Sequence, residues 1–211
     1  MMKATTSPDS SAGSAPATRG PGRTTVARIL QAAGEVLEES GYDGLNTTTV
    51  ARRAAVSTAT MYRHFPDKHA VLHALVVHEQ TERAEALGPF FSAIATAPDW
   101  RVPLAESTRN SWRLRRSQPG ALAARRALQM SPELWKWDQE QNVAIAAQLA
   151  KFMCQRNPKL PLPRARLAAL VSVQAVVALL DLACLDPRRG SVIVEESITL
   201  RASYLAPLLD L

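Results

Sequence analysis

The sequence contains no GxSxG, HExxH, GxGxxG or Walker-type loop. Nucleophilic hydrolysis, zinc proteolysis, dinucleotide binding and P-loop phosphate chemistry have no motif to rest on, so no enzyme is expected. Cysteine is almost absent. Cys154 and Cys184 stand thirty residues apart without CxxC spacing, which excludes a disulfide framework or a zinc ribbon and suits buried thiols in a reducing cytoplasm. His69 and His73 have the i, i+4 spacing of two metal ligands on a helix, but no third ligand accompanies them. Neither a metal nor another cofactor is expected. The N-terminus lacks the apolar segment of a secretory signal, so a cytoplasmic location is expected. Glycine is scarce, with 9 residues in 211, and only Val192 to Val194 looks strand-like. Ala and Leu abound at helical spacing instead, and the class is all-α.

Long hydrophobic runs are also few. Leu167 to Leu185 raises a membrane span, but Gln174 and Asp181 interrupt it. Arg164 and Arg166 at one end are matched by Arg188 and Arg189 at the other, without the asymmetry of an oriented span. No membrane partner is expected.

What is present is clear helix punctuation. Residues 1–22 are rich in Ser, Thr, Ala, Pro and Gly without a hydrophobic period, and read as a disordered tail. Arg19 and Arg23 could follow a nucleic-acid backbone or simply be solvated. The first helix is expected from about Thr24 to Ser40, stopped by Gly41. Asn46 can cap a helix over Thr47–Ala54 and Ser57 one over Thr58–His64, because each side-chain oxygen can accept an unpaired N–H there. Asp67 caps a long helix from Lys68 to about Leu87, ended by Gly88-Pro89, with a short helix near Phe90 to Ala95. A helix over Val102–Ser117 precedes the break at Gln118-Pro119-Gly120, and another covers Ala121–Met130. Ser131-Pro132 starts a helix reaching Arg156. The last two helices, about Arg164–Leu185 and Val192–Leu208, are apolar on more than one face, which suits burial on two sides.

Residues 46–65 therefore read as a helix-turn-helix. Val50, Ala51 and Ala54 form one apolar stripe, and Val56, Met61 and Phe65 supply its partner, leaving Thr58, Ala59, Thr60, Arg63 and His64 outward. A short, N-capped helix of small hydrogen-bonding residues suits entry into a DNA major groove. Net charge alone would miss this site. The chain is +6 overall, yet residues 23–83 carry seven basic and seven acidic groups. Arg52, Arg53, Arg63 and Lys68 cluster in or beside the motif, while most acids end the first helix.

The segment from Arg28 to Leu75 resembles the DNA-binding domain of the TetR family of bacterial repressors. Five features fall in register: Ile29-Leu30 with Ala32 and Ala33, Gly41-Tyr42, Val50-Ala51, Val56-Ser57, and Thr60-x-Tyr62-x-x-Phe65-x-x-Lys68. The family usually has Gly at the position of Ala55 and a charged pair near Thr48 and Thr49. Ala in the left-handed region would cost about 1 kcal/mol. The resemblance implies that Tyr62 and Lys68 clamp phosphates, with His64 beside them, and that Thr48, Thr58 and Ala59 face base edges. The full candidate DNA-binding set is Thr47, Thr48, Ser57, Thr58, Ala59, Thr60, Tyr62, Arg63, His64 and Lys68.

The organisation expected is a tail over 1–22, a three-helix DNA-binding domain over 23–83, and a helical effector-binding and dimerisation domain over 84–211. All four tryptophans fall between Trp100 and Trp137. They suit an apolar pocket or ordinary core packing alike. The candidate ligand set is Trp100, Trp112, Arg113, Met130, Trp135 and Phe152. Six arginines lie between Arg109 and Arg126 with no acid; one of them could hold an anionic headgroup, or the run could be a solvated face. The resemblance implies that the final two helices pair with their copies in a four-helix dimer interface, whereas the residues alone also allow an intramolecular pair. The function expected is a ligand-responsive repressor that binds a palindromic DNA operator as a homodimer and is released by an unknown small apolar effector. The alternative is an enzyme or carrier with a pocket in the C-terminal domain.

Overall fold

The computed structural model describes residues 21–128 and 131–210, with side chains from Thr24 onward. The expected tail, apart from Pro21 and Gly22, lies outside them, as do the side chain of Arg23 and Met130. Nine helices form among the described residues: α1 Pro21–Gly44, α2 Thr47–Arg53, α3 Thr58–His64, α4 Lys68–Thr96, α5 Arg101–Ser117, α6 Ala121–Leu128, α7 Pro132–Arg156, α8 Leu162–Leu185 and α9 Gly190–Leu209. The all-α expectation holds, and Val192 to Val194 belongs to α9.

The caps form as the sequence dictates. The side chains of Asn46, Ser57, Asp67 and Ser131 accept from the N–H groups of Thr49, Thr60, Ala70 and Leu134. Each such cap is worth about 1 kcal/mol. Gly41 interrupts α1 with φ +64°, the left-handed geometry that glycine adopts without a Cβ clash.

The break expected at Gly88-Pro89 does not occur: α4 runs through Pro89 to Thr96. A proline inside a helix costs about 3 kcal/mol. Burial of Leu87, Phe91 and Ile94 on the same face outweighs it, since these anchor α4 against α5 and α7 on both sides of the proline.

Two principal cores result. The first gathers Ile29, Ala33, Leu37, Val50, Met61, Leu72 and Val76 from α1 to α4. It also takes Ala124, Ala127 and Leu128 of α6 and Leu134 of α7, so part of the C-terminal region closes over the helix-turn-helix domain. The second gathers Leu87, Phe91, Trp100, Leu104, Leu149, Met153, Ala169, Val173 and Leu205. Helix α8 is long and apolar enough to cross a membrane by length and composition. Its inner face, including Ala165, Ala168, Ala169, Ser172 and Val176, is instead buried where α8 packs on α7 and α9.

Candidate functional site

The helix-turn-helix is braced from α1. Arg28 donates through Nη2 to the carbonyls of Ala54 and Ala55, the second at 3.0 Å. Ala55 has φ +51°, so the turn takes the left-handed conformation and the Arg28 contacts help hold it. Met61 is fully buried and Phe65 nearly so, which fixes the roll of α3. Thr58, Ala59, Tyr62 and Arg63 are thereby left exposed. Thr48 is exposed on α2, and Thr47 is half-buried with its hydroxyl donating to Tyr62 Oη at 3.3 Å. Ser57 and Thr60 are tied together: the Thr60 N–H donates to Ser57 Oγ at 3.1 Å, and the Ser57 hydroxyl to Thr60 Oγ1 at 2.9 Å.

Lys68 opens α4 with its Nζ 4.4 Å from the centroid of the Tyr42 ring. Tyr42 shares a hydrogen bond with His69 Nδ1 at 2.8 Å, so Gly41-Tyr42 positions the lysine by cation–π contact. His64 is half-buried, with Nε2 enclosed and without a partner among the described residues. Arg53 is not free for DNA. It forms a two-pronged contact with Glu39 at 2.6 and 2.7 Å. Arg52 and Arg63 are exposed and have no ion-pair partner among the described residues. His73 lies beside Trp137, with ring centroids 6.2 Å apart. No group of three metal-binding side chains occurs among the described residues.

The candidate ligand residues do not come together. Trp100 is buried in the second core and its indole N–H donates to Asp210 at 2.8 Å. Trp112 packs on Val176, Leu180, Ala183 and Val194. Arg113 is exposed, with Glu106 at 3.6 Å; Trp135 is exposed, and Phe152 packs at the edge of the second core. The reason is packing: Trp100 and Trp112 fill different helix contacts, and Trp135 faces outward. Arg109 pairs with Glu106 and Glu195 at 2.8 and 2.7 Å, and Arg116 stacks on Trp112. That side of α5 is an ion-paired surface.

A different set does converge, at the junction between the two cores. Arg83, Ser107, Thr108, Ser111, Arg115 and Arg201 face Leu87, Phe91, Ile145, Val173, Val176 and Leu180 around a cavity of about 30 Å³. A second cavity of about 20 Å³ adjoins it, sharing Arg83, Ser111 and Arg115, and reaches Glu79, Gln80 and Arg125. Arg115 donates to Val177 O at 3.1 Å and Asp181 at 2.6 Å. Arg125 donates to Asp181 at 2.8 Å and lies 3.5 Å from Asp138. Asp138 also accepts from Gln80, and from Asn142 at 3.1 Å. Burial holds the Arg83 guanidinium down to about 9 and that of Arg115 down to about 10, and pushes the Glu79 carboxyl up to about 7. Sequence reading missed this set, although a signal existed. Arg201 stands in the inward row Val194, Ser197, Arg201, Leu205, Leu209, and a charge on an apolar stripe is anomalous.

Comparison with known proteins matches two separate stretches of the chain. Residues 29–75 match the family described as bacterial regulatory proteins, tetR family. Residues 99–205, half the chain, match the tetracyclin repressor-like C-terminal domain. The HTH-type transcriptional regulator UidR of Escherichia coli K12 is 37% identical over 62 residues, 29% of this chain and 31% of that protein. The class D tetracycline repressor protein of Escherichia coli is 41% identical over 49 residues, 23% of this chain and 22% of that protein. The matched region thus spans under a third of the length of these curated relatives. Among solved structures, a TetR-family transcriptional regulator from Streptomyces coelicolor is 26% identical with TM-score 0.65, covering 90% of this chain and 99% of that one. Salmonella enterica GusR shares the fold at 20% identity and TM-score 0.68, covering 91% and 98% of the two chains.

Proposed function

Because the chain belongs to the tetR family of bacterial regulatory proteins, DNA-binding transcriptional regulators and not enzymes, we propose that it is a ligand-responsive repressor that acts as a homodimer in the cytoplasm. The observation that carries this reading is the braced, double-capped α2–α3 unit, which leaves Thr48, Thr58, Ala59, Tyr62 and Arg63 exposed beside Lys68. Tyr62 and Lys68 hold phosphates and set the register; Thr48, Thr58 and Ala59 meet base edges, with Thr47, Ser57, Thr60, Arg63 and His64 along the same surface. Two copies of α3 then enter successive major grooves about 34 Å apart on a palindromic operator.

The dimer is held through α8 and α9, where Leu167, Val171, Leu182, Leu185, Val192 and Leu200 are exposed. Apolar surface on that scale favours pairing of two copies by an isologous contact. Effector binding in the C-terminal domain shifts the population toward a spacing of the two α3 helices that misfits the operator.

The purified protein should retard DNA from upstream of its own gene in preference to unrelated DNA of equal length, and a dimer should bind each site. Equal retardation of both fragments would replace the operator-specific repressor with a non-specific DNA-coating protein.

A further inference from the structure

The interior junction contains an arginine, Arg201, that no carboxylate neutralises among the described residues. Arg201 of α9 is 3% exposed and has no carboxylate within ion-pair distance among the described residues. Its Nε donates to Ser172 Oγ at 3.0 Å and its Nη1 to Thr108 Oγ1 at 2.5 Å, both neutral hydroxyls. Among the described residues its Nη2 makes no hydrogen bond, and the side chain lines the 30 Å³ cavity. Arg83 lies across the same cavity, spending Nη2 on Asn142 at 2.7 Å while its Nε stays buried without a partner. Burial alone holds the Arg201 guanidinium down, to about 10.

The surrounding acids do not offset these charges. Asp138 and Asp181 are engaged by Arg125 and Arg115, and burial favours the neutral form of Glu79. Four guanidinium groups therefore face two committed carboxylates and Glu79, whose carboxyl burial pushes up to about 7. An unpaired buried cation costs several kcal/mol, and an apolar residue of similar volume would pack there more stably. A site that retains such an arginine, flanked by donors and walled by Leu87, Phe91, Val173, Val176 and Leu180, is built to receive a negative charge on an apolar body.

We propose that the cavity between Arg83 and Arg201 is the effector site, and that the effector is an amphipathic organic monoanion whose carboxylate is held by Arg201 and Arg83. This rests on the ligand-responsive reading above. The cavity has room for roughly two water-sized groups, enough for the head. The tail must part α8 and α9 from α5, so binding and opening are linked. Arg83 lies fifteen residues along α4 from Lys68, roughly 22 Å at 1.5 Å per residue, and a shift of α4 is felt at the recognition helix.

Calorimetric titration of the full-length protein with octanoate, phenylacetate, octanamide and octylamine tests the proposal. Octanoate or phenylacetate should bind and release the upstream DNA, with octanamide and octylamine weaker by about tenfold or more. Arg201→Met should weaken octanoate by about ten- to a hundredfold and leave octanamide unchanged. Thr108→Val, which removes one brace of the arginine, should cause a smaller loss in the same direction. The comparison of ligands on the wild-type protein stands even if the methionine variant does not fold. Equal binding of octanamide, equal octanoate affinity in Arg201→Met, or no binding of either carboxylate at millimolar concentration overturns the anion site. Release of the DNA by octanamide in that event would leave the ligand-responsive reading standing, whereas absence of specific DNA retardation would remove that reading itself.

Discussion

Gly34 of α1 and Gly120, at the start of α6, cross with their backbones in contact. A Cβ on Gly34 would lie 2.2 Å from Pro119 O, and one on Gly120 would lie 2.2 Å from Gly34 O. Gly120 also has φ +74° and donates its N–H to Glu38 at 3.3 Å. The turn between α5 and α6 is thus seated on the first helix of the DNA-binding unit. Together with α4 it gives two rigid connections between the interior cavity and the helix-turn-helix.

Gly34→Ala tests that seat. In an open helix this change would stabilise by about 1 kcal/mol through helix propensity. Here the added methyl runs into the Pro119 backbone, with its carbonyl oxygen 2.2 Å away, so a net loss of about 1–3 kcal/mol is expected, seen as a lower denaturant midpoint. A stabilised variant would mean that α1 and α6 are not in contact as described.

Glu79 makes stability depend on pH. Its carboxyl is raised from 4.5 to about 7 by burial, against attraction from Arg125, Arg115 and Arg83 and with repulsion from Glu82. A raised acid binds a proton more tightly in the folded state, so its contribution is intact below about pH 4.5 and is lost as pH rises toward 7. The loss is about 3 kcal/mol at most. Glu79→Gln should therefore gain stability over the wild type at pH 8 but little at pH 4.5, by chemical denaturation at both pH values. Parallel profiles for the two proteins would contradict this environment for the carboxyl.

Much of the fold was legible because local signals and tertiary structure agree. Asn46, Ser57, Asp67 and Ser131 each cap the helix expected of them. The two disagreements have physical causes. Gly88-Pro89 is a strong local stop that burial of Leu87, Phe91 and Ile94 overrides, and no local rule reports burial against a distant helix. The tryptophans cluster in sequence but not in space, because Trp100, Trp112 and Trp137 pack on three different cores and Trp135 is exposed. Arg83 was hidden for a related reason: its charge looks like a surface residue until the inward row of α4 is known from the side chains around it, whereas Arg201 interrupts an apolar row that the sequence itself displays. Leu170 and Val177 of α8 pack on the second core, while Leu167 and Val171 stay outward.

Ala55→Gly should stabilise the protein. Relief of the left-handed strain returns about 1–2 kcal/mol, and the added freedom of the unfolded chain removes about 0.4–1 kcal/mol. A net gain of roughly 0.5–1 kcal/mol is expected, read as a higher denaturant midpoint with unchanged slope. Destabilisation would mean that the turn does not hold φ near +51° at Ala55.

Lys68→Ala should weaken binding to every DNA sequence and lower the salt slope by about one, because one phosphate contact is lost. Thr58→Ala should instead change which operator variants are preferred while leaving the slope unchanged. Affinities measured across a salt series on a small operator library separate the two. An unchanged slope in Lys68→Ala would move the phosphate clamp away from the head of α4.

Val171→Glu tests the proposed interface. Val171 is 44% exposed on the outward row of α8 with Leu167, Leu182 and Leu185, so a charge there cannot disturb the core through packing. Val171→Glu places two like charges in an isologous contact, each desolvated when the copies meet. The variant should be a folded monomer by light scattering, with helicity retained and operator affinity reduced by far more than the change in stability accounts for. Leu170→Glu serves as contrast: its side chain packs on the second core, so unfolding is expected to accompany any monomer. A Val171→Glu protein that stayed dimeric with full operator affinity would place the interface elsewhere on the chain.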